Sequence, residues 1–206
     1  MSLLDGPTEE QRGLRDAVRA VLARRSDSAA VRKAVDLPRG FDESLWQLLC
    51  EQIGVAALAV PEEYGGAGAS LAETHLVLEE LGRTLTPSPL LGSGVLAARL
   101  LLELGDADAC ARLLPGIAAG SVLAAVCWAG AEGRWTDAAV TADADGRLTG
   151  ATHYVLDGDV ADVLLVVARD GIGLLVAEVG LDQPGVRRAH TPAMDTTRRL
   201  ATVTFD

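Results

Sequence analysis

The side chains that could do chemistry are scattered along this 206-residue chain. Its three histidines, His75, His153 and His190, are isolated from one another in sequence, so structural or solvent-exposed roles are favoured over acid–base catalysis. Glu132 lies in a turn flanked by glycines, where a structural or solvated carboxylate is expected. These residue types and spacings predict no catalytic residue in the chain.

Three aspartates stand close enough in sequence to suggest a cation site. They are Asp157, Asp159 and Asp162. Their spacing lacks the glycine and the distal glutamate of an EF-hand loop, so a turn is favoured. The segment Gly92–Ala97 reads GSGVLA and has a faint likeness to a dinucleotide loop, but no strand precedes it. The sequence therefore predicts neither a metal site nor a dinucleotide site.

Cysteine usage and charge indicate a compartment and exclude some partners. Cys50, Cys110 and Cys127 are far apart, without a C-x-x-C motif or a nearby histidine pair, so a reduced, cytoplasmic protein is expected. The first residues, MSLLDGPTEEQ, lack the basic and long apolar regions of a signal peptide. A net charge of -11 argues against nucleic acid or an anionic membrane as a partner.

One uncharged stretch, Leu113–Ala131, is about long enough to span a bilayer. Pro115, Gly120 and Ser121 interrupt it. We therefore expect a helix end, a turn and a buried strand over Val122–Cys127 instead of a membrane span.

The first half of the chain has helical apolar spacing and helix-capping residues. Capping boxes are predicted at Thr8–Gln11 and Ser70–Glu73, Asp42 is a further N-cap, and Gly54 ends the helix that Asp42 begins. Further helices are predicted from Pro89 to Leu104 and from Asp106 to Ala119, where Pro115 disturbs the last turn.

The second half changes to short β-branched or alternating runs separated by turn residues. They cover 138–142, 147–148, 153–156, 163–168, 174–179 and 200–205. No helical pattern intervenes, so an antiparallel sheet is favoured over a doubly wound one. The predicted fold is α+β, with an N-terminal all-α helical bundle (1–120) followed by an antiparallel β-barrel-like or sandwich domain (121–206), which we expect to be incomplete.

The segment Gly54–Arg83 reads GVAALAVPEEYGGAGASLAETHLVLEELGR. Its glycine-ended helix, its apolar run to a proline, its E-E-Y-G-G-x-G loop and its closing E-E-L-G-R together resemble the first domain of acyl-CoA dehydrogenases. The run GRLTGATHYVLDGDVADVLLVVARDG and the closing TRRLATVTFD resemble the middle β-domain of that family. The resemblance covers nearly the whole chain.

In that family a carboxylate removes the α-proton of an acyl-CoA thioester while the β-hydrogen leaves as hydride to FAD. The base belongs to a last helical domain, which would follow Asp206, so the resemblance implies an inert chain when it is alone. It also implies FAD as the cofactor and acyl-CoA as the substrate.

The resemblance places the cofactor-facing residues on two segments. They are Trp128, Ala129 and Gly130, in the region of the family's T-E-P-x-x-G-S-D segment, and Tyr154, Val155 and Leu156, in place of its W-I-T segment. Val126–Gly133 contains no Thr-Glu-Pro, and Leu156 has no hydroxyl. Simple packing is the alternative for Trp128 and Trp135, and a cross-strand contact is the alternative for Tyr154.

Three functions are compatible with these features. The chain is part of an acyl-CoA dehydrogenase that needs a C-terminal domain or partner chain, or a non-catalytic subunit of a mixed complex, or an interaction module without a ligand. Without a last helical domain, the apolar faces of Leu96, Leu100 and Leu104 would be uncovered, so a homo-oligomer or hetero-oligomer is expected.

Overall fold

A computed structural model describes residues 6–135 and 137–206. The α-helices in these ranges are α1 (Glu9–Arg25), α2 (Ser28–Val35), α3 (Glu43–Leu48), α4 (Leu71–Arg83), α5 (Ala98–Leu104) and α6 (Ala107–Ala118). Two π-helical segments, Leu49–Ile53 and Leu90–Ala97, continue α3 and lead into α5, and Glu62–Tyr64 forms a single 3₁₀ turn.

The helix ends follow the predicted caps. Both capping boxes are formed, at Thr8–Gln11 and at Ser70–Glu73, and Asp42 accepts backbone N–H groups at the start of α3. Gly54 adopts φ 76° after the first π-helical segment, a conformation that glycine reaches without steric cost. The proline inside α6 does not end that helix, which runs on to Ala118.

Among the described residues, the second half forms one mixed sheet of seven strands. They are β1 (Ala124–Cys127), β2 (Val140–Ala142), β3 (Leu148–Leu156), β4 (Val163–Arg169), β5 (Leu174–Gly180), β6 (Val186–Thr191) and β7 (Leu200–Phe205). The order is β1-β4-β2-β3-β7-β6, and β5 pairs with β4. The expected sequence of a helical part and then a sheet is confirmed.

Two strand pairs differ from the expected antiparallel pattern, because β1 and β2 both run parallel to β4. Parallel neighbours need a long connection between them, and the segment 128–162, which contains β2 and β3, supplies it for β1 and β4. The sheet is not closed into a barrel. Arg188 of β6 instead donates to the carbonyl of Gly180, at the end of β5, over 3.2 Å.

The helical part and the sheet share their buried core. Leu123 belongs to the cluster formed by α1, α3 and α4, while Ala124 packs in a second cluster with α5, α6 and Leu165 of β4. Ser93 accepts a hydrogen bond from the backbone N–H of Ala124 (3.0 Å). The indole of Trp46 donates to the carbonyl oxygen of Gly120 over 2.9 Å. The π-helical segment Leu90–Ala97 thus lies directly against the start of the sheet.

Candidate functional site

The two segments predicted to face a cofactor lie side by side. The loop that begins at Trp128 follows β1, and Tyr154 lies near the end of β3. The backbone N–H of His153 donates to the carbonyl of Ala129 over 2.9 Å. The phenol of Tyr154 donates to the carbonyl of Ala131 over 3.3 Å. Hydrogen bonds therefore hold the loop and the strand together.

Only some of the six predicted residues present side chains to solvent. Trp128 is 38% exposed and Tyr154 is 46% exposed, whereas Ala129 and Val155 are buried. Val155 packs in the core of the sheet. Ala129, Gly130 and Val155 can therefore offer a ligand mainly backbone groups, while Trp128 and Tyr154 offer aromatic faces.

Tyr154 has an unusual backbone. Its φ is +56°, and the register between β3 and β7 shifts between Thr152 and Val155. A positive φ at a bulky residue costs free energy and often marks a functional site. A Cβ built at Gly133 would lie 3.2 Å from the Tyr154 ring, so the loop packs closely against this side chain.

The three aspartates after β3 have different environments: Asp157 and Asp159 lie in a turn, as expected, and Asp162 lies in the bend before β4. Asp159 accepts three hydrogen bonds of 2.9, 3.0 and 2.7 Å from Arg199, and Asp162 accepts the N–H of Leu123 at 2.8 Å. Burial, and then the charge of Asp159, raise the pKa of Asp157 to about 7. In the part of the chain that the structure describes, no group of three or more acidic, histidine or cysteine side chains is placed to bind a metal.

The remaining candidate groups are dispersed. His75 and Glu132 are exposed, His153 lies 3.4 Å from the hydroxyl of Thr202, and His190 lies 3.9 Å from Asp159. The three cysteines are free and buried. Burial raises the pKa of the Cys50 thiol to about 12 and that of the Cys127 thiol to about 11, so neither is a ready nucleophile.

This helical part with its attached sheet is shared with a known family. Residues 8–121 match the family model described as "Acyl-CoA dehydrogenase, N-terminal domain". The chain belongs to the acyl-CoA dehydrogenase family. Among the described residues, no helix is both long and apolar enough to cross a membrane.

Two similar curated relatives are mycobacterial. The chain is 40% identical over 197 residues to the acyl-CoA dehydrogenase IpdE2 of Mycobacterium tuberculosis, covering 95% of this chain and 51% of that protein. It is 37% identical over 196 residues to IpdE2 of Mycolicibacterium smegmatis, covering 95% and 52%. The chain thus spans about half the length of the curated relatives it matches.

Solved structures agree with this assignment. The ChsE4-ChsE5 complex from Mycobacterium tuberculosis superposes with a TM-score of 0.86 at 28% identity, over 97% of this chain and 54% of that chain. A variant of the Tcur3481-Tcur3483 steroid ACAD gives a TM-score of 0.85 at 31% identity, over 96% and 55%. In both superpositions this chain covers only about half of the matched chain.

Proposed function

We propose that this chain supplies the helical part (1–120) and the β wall (121–206) of an acyl-CoA dehydrogenase, and that it works only in assembly with further acyl-CoA dehydrogenase sequence. The observation that carries the proposal is the hydrogen-bonded pairing of the Trp128 loop with the end of β3, which leaves the aromatic side chains of Trp128 and Tyr154 both partly exposed. The reaction of the family is α,β-dehydrogenation of an acyl-CoA thioester.

The residues at this wall suit a planar ring. Trp128 and Tyr154 offer large apolar faces for stacking, and the backbone N–H groups of Ala129 and Gly130 belong to the same loop as Trp128. FAD, when bound in such enzymes, accepts the hydride from the β-carbon. In our proposal this chain orients the ring and shields one of its faces from water.

The proton-abstracting group comes from elsewhere. Glu132, the carboxylate nearest in sequence to Trp128, is exposed in a turn. A general base must lie within hydrogen-bond reach of the substrate proton. We therefore assign the base to a C-terminal helical part or to a partner chain. The mixed composition named for the ChsE4-ChsE5 structure supports a partner chain.

A flavin-binding measurement tests this proposal. The purified chain is mixed with FAD, alone and with any acyl-CoA dehydrogenase-like chain that a neighbouring gene encodes, and retained flavin absorbance is measured after gel filtration. We expect retention in the mixed assembly and about tenfold weaker flavin affinity on Tyr154→Ala, since one stacking face is lost. Trp135→Ala is the matched control, because Trp135 is an exposed aromatic later in the same loop.

A non-catalytic subunit is the second candidate, and specific features favour it. Leu156 has no hydroxyl to offer a flavin, and the phenol of Tyr154 is engaged by Ala131. If Trp128→Ala and Tyr154→Ala both leave the flavin affinity of the mixed assembly unchanged, the chain does not form the flavin wall and the non-catalytic subunit becomes the better proposal. We also propose a cytoplasmic location, consistent with three free, buried cysteines.

A further inference from the structure

Asp157 lies where the sheet meets the π-helical segment Leu90–Ala97. A Cβ built at Gly92 would lie 3.0 Å from Oδ2 of Asp157 and 3.4 Å from Cβ of Leu156. A side chain at position 92 would require Asp157 or Leu156 to shift by a few tenths of an ångström. We call this contact, between Gly92 and the pair Leu156–Asp157, the seam.

The backbone of Asp157 is fixed on both sides. Its N–H donates to the carbonyl of Arg199 (3.0 Å), and its carbonyl accepts the N–H of Val160 (3.0 Å). Its φ is +55°, in the left-handed region that aspartate tolerates better than most residues other than glycine. The backbone of Asp157 is therefore held in place, and from there its side chain reaches the seam.

The carboxylate of Asp157 has no direct partner among the described residues. Within residues 6–135 and 137–206 it accepts no hydrogen bond and forms no ion pair, whereas Asp159 and Asp162 each do both. The charged groups that act on it are Asp159 in the turn, Arg198 and Arg199 before β7, and Arg39 after α2. The segment Leu90–Ala97 contributes no charged side chain.

We propose that Asp157 is a proton-dependent positioning residue, whose uncharged carboxyl keeps the end of β3 packed on Gly92 and whose ionisation loosens the seam. An unpaired carboxylate that is partly removed from water and close to a second carboxylate is costly, and the protonated acid avoids that cost. The inference goes beyond the proposed function, because it concerns the joint between helices and sheet and needs no bound flavin.

The direction of the pH effect follows from the raised pKa. The folded chain holds this proton up to about pH 7, whereas an unfolded aspartate releases it near its ordinary value of 3.8. Between these values the folded state binds more protons than the unfolded state, so this group makes stability fall as pH rises. The unfolding equilibrium constant should increase by up to roughly tenfold per pH unit in that window and level off above it.

NMR on the full wild-type chain tests the proposal without any substitution. The carboxyl carbon of Asp157 should titrate with a midpoint near neutral pH, and the backbone amides of Gly92 and Leu156 should shift with the same midpoint. A midpoint near pH 4 would overturn the proposal. So would a neutral midpoint that leaves both amides unmoved, since the seam would then not respond to the proton.

Variants give an independent measurement by urea unfolding between about pH 4 and pH 8. Asp157→Asn should be insensitive to the titration, so its stability advantage over the wild type should grow with pH and then level. Asp145→Asn is the matched control, because it makes the same charge change in an exposed turn. The same comparison is repeated in a His190→Gln background, which removes the imidazole near Asp159 as a second titrating group. Parallel wild-type and Asp157→Asn curves would show a purely structural residue and contradict the proposal.

Discussion

Gly66 occupies a position in the E-E-Y-G-G-x-G loop where no side chain fits. A Cβ built there would lie 1.9 Å from the carbonyl oxygen of Val60. The same carbonyl accepts the N–H of Gly68 (2.9 Å), and the N–H of Gly66 donates to the carbonyl of Pro61 (3.1 Å). The loop therefore folds back on its own beginning, and the need for glycine at 66 comes from this contact.

Gly66→Ala should destabilise the protein by about 3 kcal/mol, since the methyl group would collide with backbone that cannot move independently. Gly65→Ala is the matched control. Its φ is +78°, but a Cβ there meets no atom within 4 Å, so only the left-handed strain of about 1–2 kcal/mol applies. Urea unfolding of both variants measures the difference, and equal losses would contradict the contact argument.

The identity of the site residues could be predicted more readily than their exposure. Tyr154 and Trp128 were expected from the family resemblance, and their role as cofactor-facing residues stays a prediction. Simple alternation from the buried Thr152 would place Tyr154 on the core side of the strand and Val155 on the solvent side. The structure has the reverse, because the register shift after Thr152 changes which residues face the core. The environment of Asp157 depends on Gly92, which is distant in sequence and carries no local signal.

Between elements, α1 and α4 are joined at their first turns. Gln11 and Glu73 are the third helical residues (N3) of α1 and α4 and close the two capping boxes. The Gln11 amide donates to the Glu73 carboxylate over 2.8 Å. Hydrogen bonds from Gln11 and then from Ser70 lower the pKa of Glu73 to about 2. One carboxylate therefore caps its own helix and binds the neighbouring one.

Glu73→Ala should cost about 1 kcal/mol at neutral pH, as expected for a lost helix cap. The lowered pKa means that this stability is present above the ordinary pKa of 4.5 and is lost as pH falls toward about 2. Thermal unfolding of wild type and variant should therefore converge in acid. Glu79→Ala, at an exposed position on the same helix, serves as control. A difference that persists at pH 2 would show that the charge of Glu73 is not what stabilises.

Helix ends could be predicted because a cap involves residues only a few positions apart. Two elements were missed, α2 and β6. The first is only 8 residues long, so its N-cap Asp27 and its buried face of Val31 and Ala34 give a signal of barely two turns. The second reads VRRAHT with every side chain at least partly exposed, so it shows no apolar period. The parallel pairing of β1 and β2 with β4 is a non-local choice that runs of apolar residues cannot specify.

At the scale of the whole molecule, an apolar stripe runs along the segment that ends in α5. Leu96 is 40% exposed, Leu104 is 49% exposed, and Leu100 lies between them at helical spacing. Exposed stripes of this kind favour association. Because the chain spans about half of its curated relatives, further acyl-CoA dehydrogenase sequence is the proposed cover.

Sedimentation velocity at micromolar concentration should show an oligomer, or a mixed complex when the second chain is present. Replacing Leu96 and Leu104 together by glutamate should shift the protein toward monomer, because two charges would have to be desolvated in the contact. Ile172→Glu, on a fully exposed turn residue, should leave the assembly unchanged. A monomeric wild-type profile, alone and with the second chain, would refute the role of the stripe.

The placement of β1 bears on how the molecule comes apart. Leu123, just before this strand, packs in the cluster formed by α1, α3 and α4. Ala124 packs in the second cluster, with α5 and α6, and Ala125 and Cys127 pack in the core of the sheet. Removing this strand would open all three at once. The helical part and the sheet should therefore not unfold separately at the change of secondary structure near residue 120. We expect them to unfold as one cooperative unit.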